Sequence, residues 1–495
     1  MIESAVNPND VVSVKSIQYR TQMEDWELID DLMGGTKAMR KAGHKWLPQE
    51  PAESSLSYSL RLGRSFLYNA YRDTVRRLAS RPFARPVTLS QKSLPEQLKL
   101  IADDVDMTGK SLTTLGWNML TACAKYGGTY LLVDYPEVPA GATLADERAN
   151  KIRPTFVHIE PPQLLGFDYI KNPAGGPPIL QRIRIKETRY EQNGAYGTTS
   201  VDVVRVITTN TWELWKLEKT QKGEVWVLEK NGTHNFGAVP LLTCYVNQNG
   251  FMTFEPPLMD LAWLNLAHWQ SLSDQRNILR IARVGILFGT GFSQEEVEKP
   301  QEVSANKIWK VVNDKADLKY VEHSGKAIGA GQKDLESLEE RMEVLGLHPM
   351  IARSGNLTAT GKAIDEAKSQ SEVQSWVRSL EGVLYDAYSF AARWTKTKLP
   401  EDFAINIFNE FSLSSRAADD IKALQEARKR GDISHETFLY ELKRRAVLAE
   451  EIDIETEIEK TKVEADAAKN TLGMPEDLLE DDLEQEPAEQ DPTGE

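Results

Sequence analysis

The chain has 495 residues, 41% of them hydrophobic and 27% charged, with a formal net charge of −15. That is the composition of a globular chain long enough for several domains, and its acidity excludes a protein that grips nucleic acid or an anionic membrane by bulk attraction. Two cysteines, Cys123 and Cys244, exclude a disulfide framework and read as buried free thiols. The seven histidines fall in no HExxH or paired-ligand spacing, so neither a metal nor a cofactor is expected. No stretch of eighteen apolar residues and no signal-like start occur, so the expectation is a soluble intracellular product with no membrane span.

Taken in chain order, "SLSYSLRLGRSFLYNAYRDTVRRLASRPF" places Leu62, Phe66, Leu67, Ala70, Tyr71, Thr74, Val75 and Leu78 on one helical face. Arg61, Arg64, Arg72, Arg76 and Arg77 fall largely on the other, solvated face. "SLTTLGWNMLTACAKYGGTYLLVDYP" predicts a helix to Tyr126, a turn at Gly127–Gly128 and a strand from Thr129 to Val133. From Pro154 to Val246 the period becomes two, and six strands are expected in "TFVHIE", "QRIRIKETRY", "VDVVRVITT", "TWELWKLE", "EVWVLE" and "VPLLTCYV". Trp212, Trp215 and Trp226 there read as sheet packing, because no basic cluster accompanies them.

After Pro256-Pro257 a helix of about 40 Å is expected to run to "RIARVG", followed by a hairpin of "KIWKVV" and "LKYVEH". A returning helix covers "QKDLESLEERMEVLGL", and a longer one covers "KAIDEAKSQSEVQSWVRSLEGVLYDAYSFAARWTK". A helical module then spans Ser415 to about Asn470, with Gly431 as a stop and Ser434 as an N-cap. The acidic end, "MPEDLLEDDLEQEPAEQDPTGE", reads as a disordered tail.

Between the last two long helices lies "RSGNLTATGKAIDEA", which invites a phosphate-loop reading. Five residues separate Gly355 from Gly361, where a phosphate loop has four. Ala363 stands where its hydroxyl belongs, and a helix instead of a strand precedes it. The stretch therefore reads as a polar loop without nucleotide chemistry, and no catalytic residue is expected.

In this order of elements the chain resembles the portal proteins of tailed bacteriophages. "YGGTYLLVDYP" is similar to that family's entry into its wing domain. "NFGAVPLLTCYVNQNG" resembles the strand leading to its first stem helix, and "TATGKAIDEAKSQSEVQSW" resembles the start of its long wing helix. The likeness extends from about Ser55 to Leu448 and contains no catalytic motif.

The resemblance implies an α+β fold with an α/β wing, a two-helix stem, a small β-containing clip and a C-terminal helical crown. The implied boundaries are 1–255 wing, 256–283 first stem helix, 284–325 clip and 326–346 second stem helix. They continue with 347–360 tunnel loop, 361–400 long wing helix, 401–472 crown and 473–495 acidic tail.

It also implies a non-enzymatic ring, usually of twelve subunits, at one capsid vertex of a virion made in the host bacterial cytoplasm. Double-stranded DNA would pass through the channel without sequence preference. The packaging terminase large subunit, the major capsid or scaffolding protein and head-completion or adaptor proteins would dock on the ring. DNA-facing candidates are Arg353, Ser354, Asn356, Thr358, Thr360 and Lys362 in the tunnel loop, and Arg276, Arg280 and Arg283 in the stem. Lys307, Lys310, Lys315 and Lys319 are the candidates in the clip. The alternatives are another structural or scaffolding virion component without a channel, and a nucleotide-dependent enzyme.

Overall fold

The computed structural model describes residues 11–89, 94–136, 152–221, 223–282, 286–290, 317–321, 326–346, 359–409, 417–444, 447–448 and 452–472. The fold is α+β, and the chain divides into two compact units, Met1–Glu410 and Phe411–Glu495.

The first unit opens with α1 (Ile17–Gly34), whose first turn is capped by the Ser16 hydroxyl, and α2 (Thr36–Ala42). Neither helix was anticipated from the sequence. Trp26, Leu28, Ile29 and Leu32 of α1 are buried, and α1 packs on helices that follow much later in the chain.

The long amphipathic pattern that follows is two helices, α3 (Ser55–Arg64) and α4 (Ala70–Ser80). The break has a physical cause. Asn69 accepts the backbone N–H of Arg72 as an N-cap, and fully buried Asn265 accepts the N–H of Tyr71 while donating to the carbonyl of Tyr68. Those bonds replace the ones a continuous helix would have made. Phe66, expected on the buried face, is consequently 40% exposed, and Arg61, expected in solvent, is 5% exposed.

A two-residue strand β1 (Thr88–Leu89) and helix α5 (Glu96–Asp103) lead to α6 (Leu112–Tyr126), the centre of the core. Its last ten residues include seven buried ones, among them Met119, Leu120, Cys123 and Tyr126. Gly127 ends α6 at φ +90°, and strand β2 (Gly128–Asp134) starts at once, as expected. A Cβ on Gly127 would lie 1.9 Å from the Glu255 carbonyl oxygen, so glycine is required both by the backbone angle and by the close approach.

Strand β2 is the middle of a three-stranded antiparallel sheet with β3 (Thr155–Ile159) and β9 (Leu241–Tyr245). Cys123 of α6 and Cys244 of β9 are buried free thiols side by side, as the sequence suggested.

A five-stranded antiparallel meander is built in chain order from β4 (Leu164–Ile170), β5 (Ile179–Asn193), β6 (Gly197–Thr208), β7 (Thr211–Thr220) and β8 (Gly223–Thr233). All six anticipated strands of this region form; β4 was not anticipated. Trp215 and Trp226 pack on Leu165, Val204 and Val206, in keeping with the sheet-packing reading. Short strands β10 (Gln248–Gly250) and β11 (Thr253–Phe254) form a hairpin before the next long helix.

The next elements are α7 (Met259–Ala282), β12 (Ile286–Thr290), β13 (Asp317–Val321), α8 (Lys326–Leu345) and α9 (Ala359–Trp394). At 24 residues α7 is about 36 Å long, and α9 at 36 residues about 54 Å. Buried Val377, Leu380, Leu384 and Ala387 of α9 form the stripe that packs on β2 and β9. Strand β14 (Ile405–Asn406) returns to pair with β1, so residues 401–409 fold with the body and not with the helices after them.

The second unit holds α10 (Ala417–Arg430), α11 (His435–Arg444) and α12 (Ile454–Leu472). Gly431 follows α10 at φ +80°, and the Ser434 hydroxyl accepts the Thr437 N–H at 3.0 Å, as expected of a stop and a cap. Among its described residues Leu439 is the one buried hydrophobic.

Candidate functional site

Helix α7 carries the chemistry that can be placed. Leu261, Ala262, Leu266 and Trp269 bury its first half, each large side chain contributing on the order of 1.5–3 kcal/mol. One stripe of α7 is tied to α8 by polar contacts. His268 and Glu339 are 3.1 Å apart, Ser271 donates to Asp334 at 2.8 Å, and Gln275 donates to the Ile328 carbonyl at 2.8 Å. The partner number falls as the α7 number rises, so the two helices run antiparallel. A Cβ at Gly331 would meet Gln275 at 2.1 Å, which is how the second helix comes this close.

The opposite stripe of α7 faces α3 across a cleft of about 640 Å³ lined by Arg61, Arg64, Ser65, Arg276, Asn277 and Arg280, with Ser273 at its floor. Arg61 anchors that floor. Its Nε and Nη2 each donate to Glu53 at 2.9 Å, Nη2 also donates to the Pro48 carbonyl at 2.7 Å, and Nη1 donates to Asp274 at 3.3 Å. The bidentate bond holds the Glu53 carboxyl below the usual carboxylate range and raises Arg61. Burial raises Asp274, against the pull of Arg61. Ser65 donates to the Ser273 hydroxyl at 2.8 Å, which ties α3 to α7.

Around this floor Arg64, Arg276 and Arg280 are exposed, and Arg276 lies 4.7 Å from the Phe66 ring centroid. The polar part of the lining is guanidinium, hydroxyl and amide, beside Leu279 and the arginine stems, with no nucleophile held against a base, so it is suited to receiving negative groups and not to acid–base chemistry. Sequence reading picked out Arg276 and Arg280 but left Arg61 and Arg64 in solvent. The signal that could have found them is the row Tyr58, Arg61, Ser65, at helical spacing on the side that Leu56 and Leu60 leave free.

The other candidates separate. Lys319 stands on β13 opposite Phe288 of β12. Of the anticipated clip hairpin, "KIWKVV" lies outside the described residues, and β13, within "LKYVEH" and its preceding Asp317, pairs with Ile286–Thr290, a segment that had not been assigned. Lys307, Lys310, Lys315 and Arg283 lie outside the described residues, as do Arg353, Ser354, Asn356 and Thr358. Thr360 and Lys362, expected in the loop, stand in the first turns of α9, because good helix formers around them outweigh the roughly 1 kcal/mol penalty of Gly361. The element before this loop is the helix α8, where a phosphate loop would follow a strand.

A second cleft of about 910 Å³ is lined by Tyr135, Arg205, Trp212, Lys230, His234 and Trp394. Its Arg205 is already paired with Asp134 and Glu187. Among the described residues no cluster of three or more His, Cys, Asp or Glu could hold a metal, and no helix is long and apolar enough to cross a membrane.

Residues 257–395 match a family described as a domain of unknown function (DUF4055), a span that runs from just before α7 to the end of α9. No curated protein matches the chain. Among solved structures the chain is similar to a chain of the virion of a native gene transfer agent (GTA) particle, with 11% identity, 74% of this chain and 87% of that chain covered, and a TM-score of 0.42. It is similar also to chains of the neck of the empty GTA particle computed with C6 symmetry, with 11% identity, 74% and 88% covered and TM-score 0.39. For the neck of the native particle computed with C12 symmetry the figures are 11%, 75%, 88% and 0.38.

Proposed function

We propose that this chain is a portal-type subunit: a ring at one capsid vertex of a phage or phage-like virion, through which double-stranded DNA enters and leaves. The observation that carries the reading is the arrangement from α7 to α9. Two antiparallel helices are joined through a strand pair, and a 36-residue helix then returns into an α/β body. In this reading α7 and α8 are the stem, β12 and β13 belong to the clip, α9 is the long wing helix, and α10 to α12 form the crown.

Exposed aromatic side chains support assembly into a ring. Trp117 on α6, Trp263 on α7 and Tyr385 on α9 are each 44–45% exposed, and the crown helices bury one hydrophobic side chain among those described. Such faces are completed by neighbours in a closed oligomer.

Twelve copies would carry about −180 in formal charge, and a wall of that balance repels phosphate and favours passage over residence. The loop at 347–358, with Arg353, Ser354, Asn356 and Thr358, is the part assigned to touch the duplex. The terminase large subunit, the capsid or scaffolding protein and the head-completion or adaptor proteins are the proposed docking partners. The function is structural, without catalysis.

Removing Asn356 to Thr358 tests the reading. Particles assembled with the shortened loop are expected to package or retain an altered amount of DNA. Normal DNA content in such particles would remove the loop from the conduit, and a purified chain that binds ATP tightly with Mg²⁺ would replace the conduit with a motor.

A further inference from the structure

Helix α7 is sandwiched. Ser273, Arg276, Asn277 and Arg280 form the stripe toward α3, and His268, Ser271 and Gln275 form the stripe toward α8, roughly 160° away on the helical wheel. The layer α3–α7–α8 therefore has two outer surfaces.

On the α3 side the surface is basic. Arg64, Arg276 and Arg280 are exposed; of the nearby acids, Glu53 and Asp274 are engaged by Arg61, and Glu50 is exposed beside them. Arg276 and Arg280 are four residues apart, a like-charge spacing that works against the helix. On the far side, the face of α8 turned away from α7 carries exposed Glu336 and Glu340, with Glu343 half-buried beside them and Lys333 and Arg341 as the opposing charges. Each surface has an apolar border: Leu56, Leu60 and Phe66 are 72%, 46% and 40% exposed on the basic side, and Val344 is 60% exposed on the acidic side.

Pairing the layer with itself about a two-fold axis would set arginine against arginine or glutamate against glutamate. A head-to-tail contact sets the basic surface against the acidic one and repeats from copy to copy, which is the geometry that closes into a ring. We propose that the arginine cleft receives the Glu336–Glu340 face of α8 from a second copy of this chain. This rests on the ring reading above. It assigns Arg276 and Arg280 to the neighbouring subunit and not to the duplex.

Two full-length charge-reversed variants test it: one with Arg64→Glu, Arg276→Glu and Arg280→Glu, the other with Glu336→Arg and Glu340→Arg. Each alone sets like charges against each other in a homotypic ring, whereas an equimolar mixture restores opposite charges at every contact in an alternating ring. By native mass spectrometry, with circular dichroism as the check on folding, each variant alone is expected to need at least about tenfold more protein to assemble than the wild type. The mixture is expected to assemble like the wild type, into rings with equal numbers of both chains. Assembly of either variant alone at wild-type concentrations overturns the proposal. So does failure of two folded variants to co-assemble, or a first variant that rings normally and holds less DNA. A wild-type chain that forms no ring overturns the ring reading itself. If the triple variant fails to fold, Arg64→Gln with Arg280→Gln provides a milder test, read as a lost salt dependence of assembly; an unchanged salt dependence contradicts the proposal.

Discussion

Replacing Gly127 by alanine tests the junction on which the body is built, because this residue turns the buried helix α6 into the central strand β2 within one peptide. The left-handed backbone at φ +90° costs a non-glycine residue on the order of 1 kcal/mol. The larger penalty is steric: the added methyl would lie 1.9 Å from the Glu255 oxygen and 2.5 Å from its carbonyl carbon, so backbone must move. Relief is resisted on both sides, since Gly127 donates to the Cys123 carbonyl at 2.8 Å and accepts from Val246 and Asn247 at 2.9 Å each. Losing or straining two of these bonds at about 1 kcal/mol apiece brings the total to about 3 kcal/mol. Gly109 is a built-in control, with φ +88° and nothing within 4 Å of its would-be Cβ, so Gly109→Ala isolates the backbone term at about 1 kcal/mol. Urea midpoints of the two variants, followed by far-UV circular dichroism, should differ by about 2 kcal/mol in the same direction. Equal shifts within about 0.5 kcal/mol would refute the steric argument.

Arg61→Leu should lower stability by about 3 kcal/mol at pH 7 in urea titrations, because Glu53 is left buried without its partner. In the wild type, the depressed Glu53 carboxyl contributes stability above its unfolded value near 4.3, and that contribution is lost as pH falls through its lower folded value. The variant's deficit should therefore shrink as the pH falls below about 4.3; a pH-independent deficit would contradict the pairing. Burial, helped by Lys125 and Lys110, pushes His158 down to about 4. The unfolded chain then takes up a proton between pH 6.5 and 4 that the folded chain refuses, so stability should fall by about 3 kcal/mol across that window, and His158→Gln should flatten the slope. Lys362→Ala should leave nucleotide titrations as featureless as those of the wild type, because the Gly355–Gly361 spacing and Ala363 depart from the phosphate-loop pattern. Deleting 475–495 should leave the melting temperature nearly unchanged, since that segment carries few core-forming residues; a large drop would reveal docking.

Much of the fold was legible because two periods dominate the chain. The period-two runs from Thr155 to Tyr245 form the expected strands, and the described part of the α9 stripe, Val373 to Ala387, is buried as the sequence says; on α7 Leu261 and His268 are buried but Leu264, Leu272 and Ile278 only half-buried, and Val225, Val227 and Leu228 of β8 are exposed. Gly127, Gly431 and Ser434 punctuate the chain where their backbone preferences require. The break between α3 and α4 was not legible, because it is made by Asn265, nearly two hundred residues away, and a tertiary cap overrides an unbroken local pattern. Strand β4 was missed because its second half, Phe167 to Ile170, turns toward solvent and leaves no alternation. Arg61 was misread because its partner Glu53 lies eight residues earlier, before the start of α3, and Asp274 lies 213 residues later, so no spacing within the helix records them. Strand Ile286–Thr290 pairs with residues about thirty positions later, a separation that a hairpin rule does not reach.

The most direct test of the central claim is electron microscopy of the purified full-length chain. The account predicts a closed ring, about twelve-fold, with a central channel wide enough for a DNA duplex and with α7 and α8 arranged around it. A population of monomers or of closed dimers without a channel, persisting across concentration and salt, would contradict it.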